Sequence, residues 1–349
     1  GLAGAETMVE NLSCGLVAEG HDVLVISFFE LHTAITERIE NSGIKIEYLG
    51  KKRGFDPSIV SKMRKIIKAY QPDVIHTHRY VLPYAFLASM GLQAKRVHTV
   101  HNVAQKEQTK VGKNINRVLF RHFNVVPVAL SEEIQKTIQE VYGLPISRVP
   151  VVFNGIDLSR CIVKESYARK DTFTVLHIGR FMDVKNQELL LRSFAWFKGQ
   201  YSDARLQLLG DGELKENMMQ LAGQLNIADA VEFAGLQSNV YPWLHNADVF
   251  ILPSKFEGMP MTLIEAMGTG LPIIASNVGG IPDMLTDQKD AVLIEPKEDC
   301  VISALELIYF DEEKRKYLGR NARDRSAVFS EKTMAKRYID VYIDASGEE

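Results

Sequence analysis

Two glutamates, Glu257 and Glu265, lie in the segment of the chain that is best suited to chemistry. A buried strand is predicted to end at Pro253, and Pro260 is placed to open the helix that carries Glu265. Glu257 then lies at the carboxyl end of a parallel strand, where open α/β sheets bind ligands. Either glutamate alone is more simply a helix cap or a solvated side chain. Together with free amides at the helix start, they predict a site for sugar hydroxyls and phosphate.

A second segment places two cations after another strand. The strand Thr174–Ile178 is predicted to turn at Gly179, which presents Arg180 and Lys185 at its carboxyl end. Two cations near helix amides would hold a diphosphate, although surface cations are common. The later turn Gly210-Asp-Gly212 marks a tight corner after a strand, and such a turn is more often structural than catalytic.

Four histidines stand at the ends of two strands in the first half of the chain, namely His76, His78, His98 and His101. Alternation along a strand sends neighbouring side chains to opposite faces, and no acidic or cysteine partner has the spacing to complete a metal site. We therefore expect no metal. A histidine at a strand end is better suited to contact a substrate or to transfer a proton. His101 ends its strand most clearly and is the preferred candidate.

The elements that must position these residues alternate regularly. Apolar runs predict strands over Val23–Ser27, Val74–His76, Val97–Val100, Val125–Leu130, Thr174–Ile178, Arg205–Leu209, Val231–Phe233, Val249–Leu252 and Pro272–Ala275. Helix-like segments separate them, so two parallel sheets covered by helices are expected. The polar segment Phe153–Lys170 divides the two series and predicts the interdomain connection. A closing helix is predicted over Lys332–Asp344.

Composition and charge narrow the class of protein. The chain has 349 residues, 46% apolar and 24% charged, which is typical of a globular protein with two domains. No apolar run is long enough to span a membrane, and the three cysteines suggest neither disulfides nor a metal cluster, so a cytoplasmic protein is expected. Residues 1–153 hold 19 Lys/Arg against 14 Asp/Glu, a net of +5, whereas the remainder holds 22 against 30, a net of −8. Such an asymmetry is typical of halves with different partners, although a solvated basic surface is the simpler interpretation.

These motifs, taken in order, resemble those of the retaining glycosyltransferases of the group 1 or family 4 type. They are the glycine-rich start with Gly4-Ala5-Glu6, His101, Val152-Phe-Asn-Gly-Ile-Asp157, Gly179-Arg180 with Lys185, Gly210-Asp-Gly212, and Glu257 with Glu265. The resemblance covers nearly the whole chain. A glycine-rich turn normally follows a strand. Because no strand precedes Gly4 here, either the first strand of the N-terminal sheet is missing, which we expect, or that sheet is built without it.

The resemblance implies an α/β fold of the GT-B class, with two Rossmann-like domains facing each other across a cleft. The N-terminal, acceptor-binding domain would comprise residues 1–153 plus 329–349, because the last helix crosses back to it, and the donor-binding domain would comprise residues 154–328. Arg180 and Lys185 would bind the donor diphosphate, Glu265 the ribose and Glu257 the transferred sugar. His101 would contact that sugar beside the reacting carbon. The other donor contacts would come from Gly4, Gly258, Met259, Pro260 and Met261.

The implied reaction retains the anomeric configuration and needs no metal or other cofactor. Arg180, Lys185 and the helix amides would neutralise the departing nucleoside diphosphate. A hexose or N-acetylhexosamine would move from a nucleotide sugar, with UDP preferred over GDP on family frequency alone. The acceptor would be a glycan or a lipid-linked glycan, as in bacterial surface polysaccharide synthesis. No nucleic-acid partner is expected.

The acceptor half also carries basic segments, namely Lys51-Lys-Arg53, Lys62–Lys68 and Lys113–Phe123. They predict peripheral attachment to an anionic membrane, unless Val118, Leu119 and Phe123 are simply core. Three other classes of protein are alternatives. A nicotinamide-dependent dehydrogenase would need a Gly-x-Gly-x-x-Gly spacing that Gly1–Glu6 lacks. A nucleotide-sugar epimerase of the same fold and a non-catalytic two-lobed sugar-binding protein stay open.

Overall fold

The computed structural model describes residues 4–52, 54 and 56–344, which form two compact units. Unit 1 spans Gly1–Gly155 with Ser330–Glu349, and unit 2 spans Ile156–Phe329. The divisions lie two residues and one residue from the predicted domain boundaries. Gly1, Leu2 and Ala3 of the predicted glycine-rich start lie outside the described residues, as do Arg53 and residues 345–349.

Unit 1 alternates helices with short parallel strands. Its helices are α1 (Gly4–Ala18), α2 (Ala34–Asn41), α3 (Ser58–Tyr70), α4 (Leu82–Ala88), α5 (Ala104–Glu107), α6 (Lys110–His122), α7 (Glu132–Tyr142) and α15 (Glu331–Asp344). Its strands are β1 (Leu24–Ser27), β2 (Lys45–Tyr48), β3 (Val74–His78), β4 (Lys95–Val100) and β5 (Val125–Ala129). β1 pairs with β2, and β4 lies between β3 and β5. All these pairs are parallel.

The last helix belongs to the first unit. Met334, Tyr338 and Val341 of α15 share a buried cluster with Met8 and Leu12 of α1. The two helices approach closely, because a Cβ on Gly15 of α1 would lie 2.9 Å from the carbonyl oxygen of Glu331. A residue without a side chain is therefore required at this crossing. Unit 1 thus contains the chain's helix 331–344, as the resemblance implied.

Unit 2 is a single parallel sheet flanked by helices. Its strands are β6 (Phe173–Ile178), β7 (Ala204–Leu209), β8 (Val231–Gly235), β9 (Val249–Leu252), β10 (Ile273–Ser276) and β11 (Val292–Ile294), in the order β11-β10-β9-β6-β7-β8. Its helices are α8 (Gln187–Gln200), α9 (Lys215–Gln224), α10 (Tyr241–Asn246), α11 (Met261–Thr269), α12 (Ile281–Met284), α13 (Glu298–Phe310) and α14 (Glu312–Ser326). All four residues of β9 are buried, as expected for a central strand with helices on both faces.

The segment predicted to connect the domains is mostly part of unit 2. The backbone N–H of Lys164 donates to the carbonyl oxygen of Thr269 at 2.8 Å, and its ammonium donates to that of Ala247 at 2.5 Å. The Tyr167 hydroxyl donates to the Gly270 carbonyl oxygen at 2.8 Å. Burial lowers the pKa of Lys164 to about 8. The predicted connection over 153–170 was therefore too long, since the chain passes between the units at Gly155–Ile156.

The nine predicted strands are all present, with ends shifted by at most two residues. Two strands were missed, β2 and β11. Within the described residues no strand precedes α1, and no ladder joins β1 to β3. No described helix combines the length and the apolar character that crossing a bilayer requires.

Candidate functional site

In unit 2, the predicted donor residues follow the two central strands, β6 and β9. The chain runs from β6 outward through β7 and β8, and β9 then lies on the other side of β6. This reversal of strand order is the topological switch point, where the loops after adjacent strands diverge and leave a crevice. Arg180 and Lys185 follow β6, and Glu257 follows β9. The sheet order therefore brings two separate sequence motifs to one edge.

Lys185 and Glu257 meet directly in this crevice. The Lys185 ammonium lies 2.6 Å from Oε1 of Glu257, and the Ser254 hydroxyl donates to the same oxygen at 2.6 Å. The side chains of Lys185 and Glu257 are 18% and 9% exposed, so the pair is shielded from water. Both donors use Oε1, which leaves Oε2 of Glu257 for further hydrogen bonds. The ammonium has two further hydrogens for an anionic ligand.

The two loops that carry this pair are bound to each other. The Asn186 side-chain amide donates to the Pro253 carbonyl oxygen at 3.1 Å, and the Lys255 N–H donates to the Val184 carbonyl oxygen at 2.8 Å. Lys255 also forms an ion pair with Asp183 at 2.5 Å. These cross-links fix the distance between Lys185 and Glu257 through the backbone as well as through the side chains.

Three glycines allow neighbouring loops to approach the site closely. A Cβ on Gly279 (φ +55°) would lie 2.0 Å from the Glu257 carbonyl oxygen, which accepts a hydrogen bond from the Gly280 N–H. Cβ atoms on Gly210 and Gly212 would lie 2.1 and 2.3 Å from the carbonyl oxygens of Gly179 and Phe181. The Gly-Asp-Gly turn therefore supports the backbone around Arg180.

The buried histidine His177 helps to hold the loop that carries Arg180. His177 Nδ1 donates to the Ile251 carbonyl oxygen at 2.9 Å, and the Gln187 amide donates to the Arg180 carbonyl oxygen at 3.0 Å and to His177 Nε2 at 3.3 Å. Burial lowers the pKa of His177 to about 4, so its Nε2 keeps the lone pair that Gln187 needs. The Arg180 guanidinium itself is exposed, and no ion pair joins it to a described residue.

The start of α11 faces the loop that carries Glu257. The helix begins after Pro260, and no side chain caps its first amides, which include those of Met261 and Thr262. Such amides are donors for an anion. Met259, Pro260 and Met261 are buried and Gly258 is half-buried, so this segment is held in place by packing.

Glu265 lies one turn further along α11 and has different neighbours from Glu257. It is half-buried and contributes, after burial, to raising the pKa of Tyr241, as does Cys161, while Arg160 opposes the shift. The Arg160 guanidinium stacks on the Tyr241 ring at 5.3 Å. The two glutamates that the sequence grouped together thus occupy different surroundings in unit 2.

In unit 1 the structure brings three of the four histidines together at the carboxyl ends of β3 and β4. His78 Nδ1 lies 3.0 Å from His101 Nε2, and the rings of His76 and His78 are in contact, with centroids 4.4 Å apart and planes tilted by 35°. The expectation that strand alternation separates the histidines was wrong for these three, because residues two apart share a face. The expectation is right for His98, which lies on the other face of the sheet, where its Nδ1 is 2.9 Å from the Thr77 hydroxyl.

The surroundings of His101 include charged groups. Burial raises the pKa of Glu107 to about 7, and hydrogen bonds from the His101 and Asn102 amides oppose that shift. Arg79, which has the unusual φ of +57°, forms an ion pair with Glu6 at 3.4 Å. Among the described residues, no group of three or more His, Cys, Asp or Glu side chains is arranged to hold a metal ion.

The predicted site residues therefore divide between the two units. Unit 2 contains Arg180, Lys185, Gly258, Met259, Pro260, Met261, Glu257 and Glu265, whereas unit 1 contains Gly4 and His101. Gly4 is the first residue of α1 and is exposed. The sequence interpretation missed Ser254 and Gly279. The Gly279-Gly280 pair after a strand is a turn signal that the sequence analysis could have used. No sequence signal marks Ser254 as a site residue.

Helix α6 presents an unusual surface in unit 1. Val111, Ile115 and Val118 are 69%, 40% and 47% exposed and lie on one stripe of the helix. Leu119 is core, at 5% exposed, whereas Phe123 just beyond the helix is 46% exposed. The expectation that these residues are simply core is therefore right for Leu119 and wrong for Val118 and Phe123. Exposed cations flank the stripe, namely Lys110, Arg117 and Arg121.

Comparison with known proteins gives consistent similarities along the chain. A family model described as glycosyl transferases group 1 matches residues 161–325, and one described as Glycosyltransferase Family 4 matches residues 2–160. The chain is 28% identical over 307 residues to N-acetyl-alpha-D-glucosaminyl L-malate synthase of Bacillus anthracis, covering 83% of this chain and 79% of that protein.

A second relative is the Escherichia coli UDP-Gal:alpha-D-GlcNAc-diphosphoundecaprenol alpha-1,3-galactosyltransferase. It is 26% identical over 316 residues, and the alignment covers 82% of this chain and 79% of the relative. Among solved structures, HepE of Anabaena in complex with UDP and glucose superposes with a TM-score of 0.84 at 19% identity, covering 97% of this chain and 95% of that one. At that identity the likeness shows the fold.

Proposed function

Because the chain belongs to the group 1 and family 4 glycosyltransferases and has their fold, we propose that it transfers a hexose or N-acetylhexosamine from a UDP-sugar with retention of configuration. The observation that carries this proposal is the shielded contact between Lys185, Glu257 and Ser254 at the switch point of unit 2. It places a carboxylate for sugar hydroxyls beside a cation for phosphate. A GDP-sugar is the alternative donor.

The donor binds to unit 2 through its diphosphate, its sugar and its ribose. The exposed Arg180 guanidinium and the uncapped amides at the start of α11 bind the diphosphate. Lys185 donates to a diphosphate oxygen while it keeps its contact with Glu257. Oε2 of Glu257 accepts from hydroxyls of the transferred sugar. Glu265 binds the ribose, an assignment that rests on the family resemblance.

Departure of the nucleoside diphosphate requires that its developing charge be neutralised. Arg180, Lys185 and the α11 amides supply this stabilisation, so the reaction proceeds without a metal ion. We do not assign Glu257 as a nucleophile, because a covalent intermediate needs a carboxylate on the face opposite the leaving group, and the family resemblance places Glu257 on sugar hydroxyls instead. The acceptor attacks from the face that the phosphate leaves, and the leaving phosphate takes the acceptor's proton. We assign Gly4 to the diphosphate and His101 to the sugar beside the reacting carbon.

The acceptor is a glycan or a lipid-linked glycan bound by unit 1. The exposed apolar stripe and flanking cations of α6 support this, because such a face binds an anionic membrane or a lipid pyrophosphate. The Escherichia coli relative is named for action on a diphosphoundecaprenol acceptor. A protein of this kind works at the cytoplasmic face of the membrane and makes surface polysaccharide.

Incubation of the protein with UDP- and GDP-sugars, with and without undecaprenyl-diphosphate-linked acceptors, tests the proposal. Acceptor-dependent release of UDP is expected, and NMR of the product should show the anomeric configuration of the donor. EDTA should leave the rate unchanged if no metal takes part. An inverted product would contradict the retaining mechanism. Epimerised donor without transfer would favour the epimerase, and binding with neither reaction would favour a sugar-binding protein.

A further inference from the structure

Beside His101 lies a second histidine to which neither the proposed mechanism nor the family resemblance gives a role. His78 ends β3, and its Nδ1 is 3.0 Å from Nε2 of His101, with ring centroids 5.2 Å apart. Since Nε2 of His101 is engaged by His78, Nδ1 is the nitrogen of His101 that remains for a ligand. Any hydroxyl group that His101 contacts must therefore be met through Nδ1.

Only one hydrogen can lie between these two nitrogens. Burial lowers the pKa of His78 to about 4 and that of His101 well below its usual value, so both rings are neutral at pH 7. Two neutral imidazoles in contact must act as one donor and one acceptor. If His78 donates, His101 carries its own hydrogen on Nδ1. If His78 accepts, His101 presents a bare Nδ1. The tautomers of the two rings are therefore coupled.

His78 is in turn held by a rigid support. Its ring contacts that of His76. Both ring nitrogens of His76 are engaged, Nδ1 with the Tyr342 hydroxyl and Nε2 with the Thr99 hydroxyl, each at 2.8 Å. The Tyr338 hydroxyl bonds to Thr99 at 2.8 Å. Both tyrosines belong to α15, so the last helix of the chain supports the histidine pair from within unit 1.

We propose that His78 is a positioning residue, which sets the ring orientation and the tautomer of His101 so that Nδ1 faces a hydroxyl of the donor sugar. Tyr342 acts one step further away, through His76. This inference rests on the proposed function, in which His101 contacts the sugar. It gives α15 a part in the reaction beyond packing against α1.

The test compares His78→Phe with His78→Asn. Phenylalanine keeps the shape of the ring but cannot bond to His101, whereas the asparagine amide reaches the place of Nδ1 and restores a partner. We expect His78→Phe to lower kcat by about tenfold or more with UDP affinity unchanged, and His78→Asn to recover part of the loss. His21→Phe, at an exposed histidine, should behave as wild type.

A second readout does not depend on turnover. In protein labelled with ring-15N histidine, the Nδ1 and Nε2 resonances of His101 should shift in His78→Phe and move back towards wild type in His78→Asn. Unchanged His101 resonances in both variants would overturn the proposal even if no acceptor had been found. A kcat in His78→Phe within twofold of wild type, alongside an inactive His101→Ala, would also overturn it. Absence of transfer by the wild-type protein would instead count against the proposed function.

Discussion

At the scale of single residues, the main finding is that the two glutamates of one short segment have different partners. Glu257 accepts from Lys185 and Ser254 at one oxygen, and Glu265 lies close enough to Tyr241 to help raise the pKa of its hydroxyl. Two carboxylates in different surroundings are suited to different parts of one ligand. The division of roles can be tested by separate substitutions.

Glu265→Ala is expected to weaken UDP binding roughly 10- to 100-fold, since hydrogen bonds to a charged group contribute about 1.5–3 kcal/mol. Glu257→Ala should leave UDP affinity nearly unchanged and lower kcat by roughly 100-fold or more, because its contacts are to the transferred sugar. Calorimetry with UDP and initial rates measure the two effects. Glu295→Ala, at an exposed residue paired with Lys297, is the control. An equal loss of UDP affinity in both variants would contradict the assignment.

Three histidines with lowered pKa values predict how the stability of the fold changes with pH. Burial lowers the pKa of His78 and His177 to about 4 and that of His98 to about 3, all below the unfolded value of 6.5. Between pH 6.5 and 4 the unfolded chain therefore binds more protons than the folded chain. The contribution of these histidines to the free energy of unfolding is therefore fully present above pH 6.5. It is lost as the pH falls towards 4, by up to about 1.4 kcal/mol per pH unit for each histidine.

Thermal unfolding between pH 4 and 7.5 checks this dependence. His98→Gln should flatten the fall in Tm below pH 6.5, because one of the contributing groups is removed. His21→Gln, at an exposed histidine, should leave the profile unchanged. A profile for His98→Gln as steep as that of the wild type would show that His98 does not contribute.

At the scale of elements, the site depends on loops that are held by glycines. The loop between β10 and α12 contacts the backbone of Glu257 at Gly279, where there is no room for a side chain. The turn at Gly210–Gly212 supports the Arg180 loop in the same way. These glycines do no chemistry, but they determine where the chemical groups stand.

Gly279→Ala is therefore expected to destabilise the protein by roughly 1–3 kcal/mol and to reduce kcat, because the added methyl group displaces the Glu257 backbone. Gly50→Ala is a matched control, with a similar φ of +62° and nothing within 4 Å of the added Cβ. Gly50→Ala should lower the free energy of unfolding by about 1 kcal/mol through backbone strain and leave kcat unchanged. Urea unfolding and initial rates would measure both. Equal effects of the two substitutions would mean that the contact with Glu257 is unimportant.

At the scale of the whole molecule, charge and exposed apolar surface are distributed unevenly. The net charge is +5 over residues 1–153 and −8 over the rest, and the exposed stripe of α6 lies in the basic part. Anionic membranes attract such a surface at low salt. The distribution therefore predicts that membrane binding is a property of unit 1.

Sedimentation with anionic phospholipid vesicles at low salt measures this binding. The wild-type protein should sediment with the vesicles, and replacing both Ile115 and Val118 by glutamate should abolish sedimentation, because it removes apolar area and adds negative charge. Trp196→Glu, at a residue of unit 2 that is 46% exposed, should still sediment. If the wild-type protein does not bind the vesicles, the exposed stripe of α6 is not a membrane-binding surface.

Patterns that are local in the chain could be recognised without the structure. Nine strands were predicted from apolar runs because a buried parallel strand is apolar on both faces. β2, with the sequence Lys-Ile-Glu-Tyr, was missed because it is half polar, and β11 because it has only three residues. The motifs around Arg180 and Glu257 were likewise visible, since a turn and a helix start have short signatures.

Contacts between distant parts of the chain depended on the tertiary structure. Ser254 shares an oxygen of Glu257 with Lys185, and His78 meets His101 across two strands. The sequence indicated which residues carry charge or protons, but not which atoms they face. The strand order that places β6 beside β9, and the packing of α15 on α1, decide those pairs. Sequence periodicity specifies which side of an element is buried, whereas partners are selected only when the elements pack together.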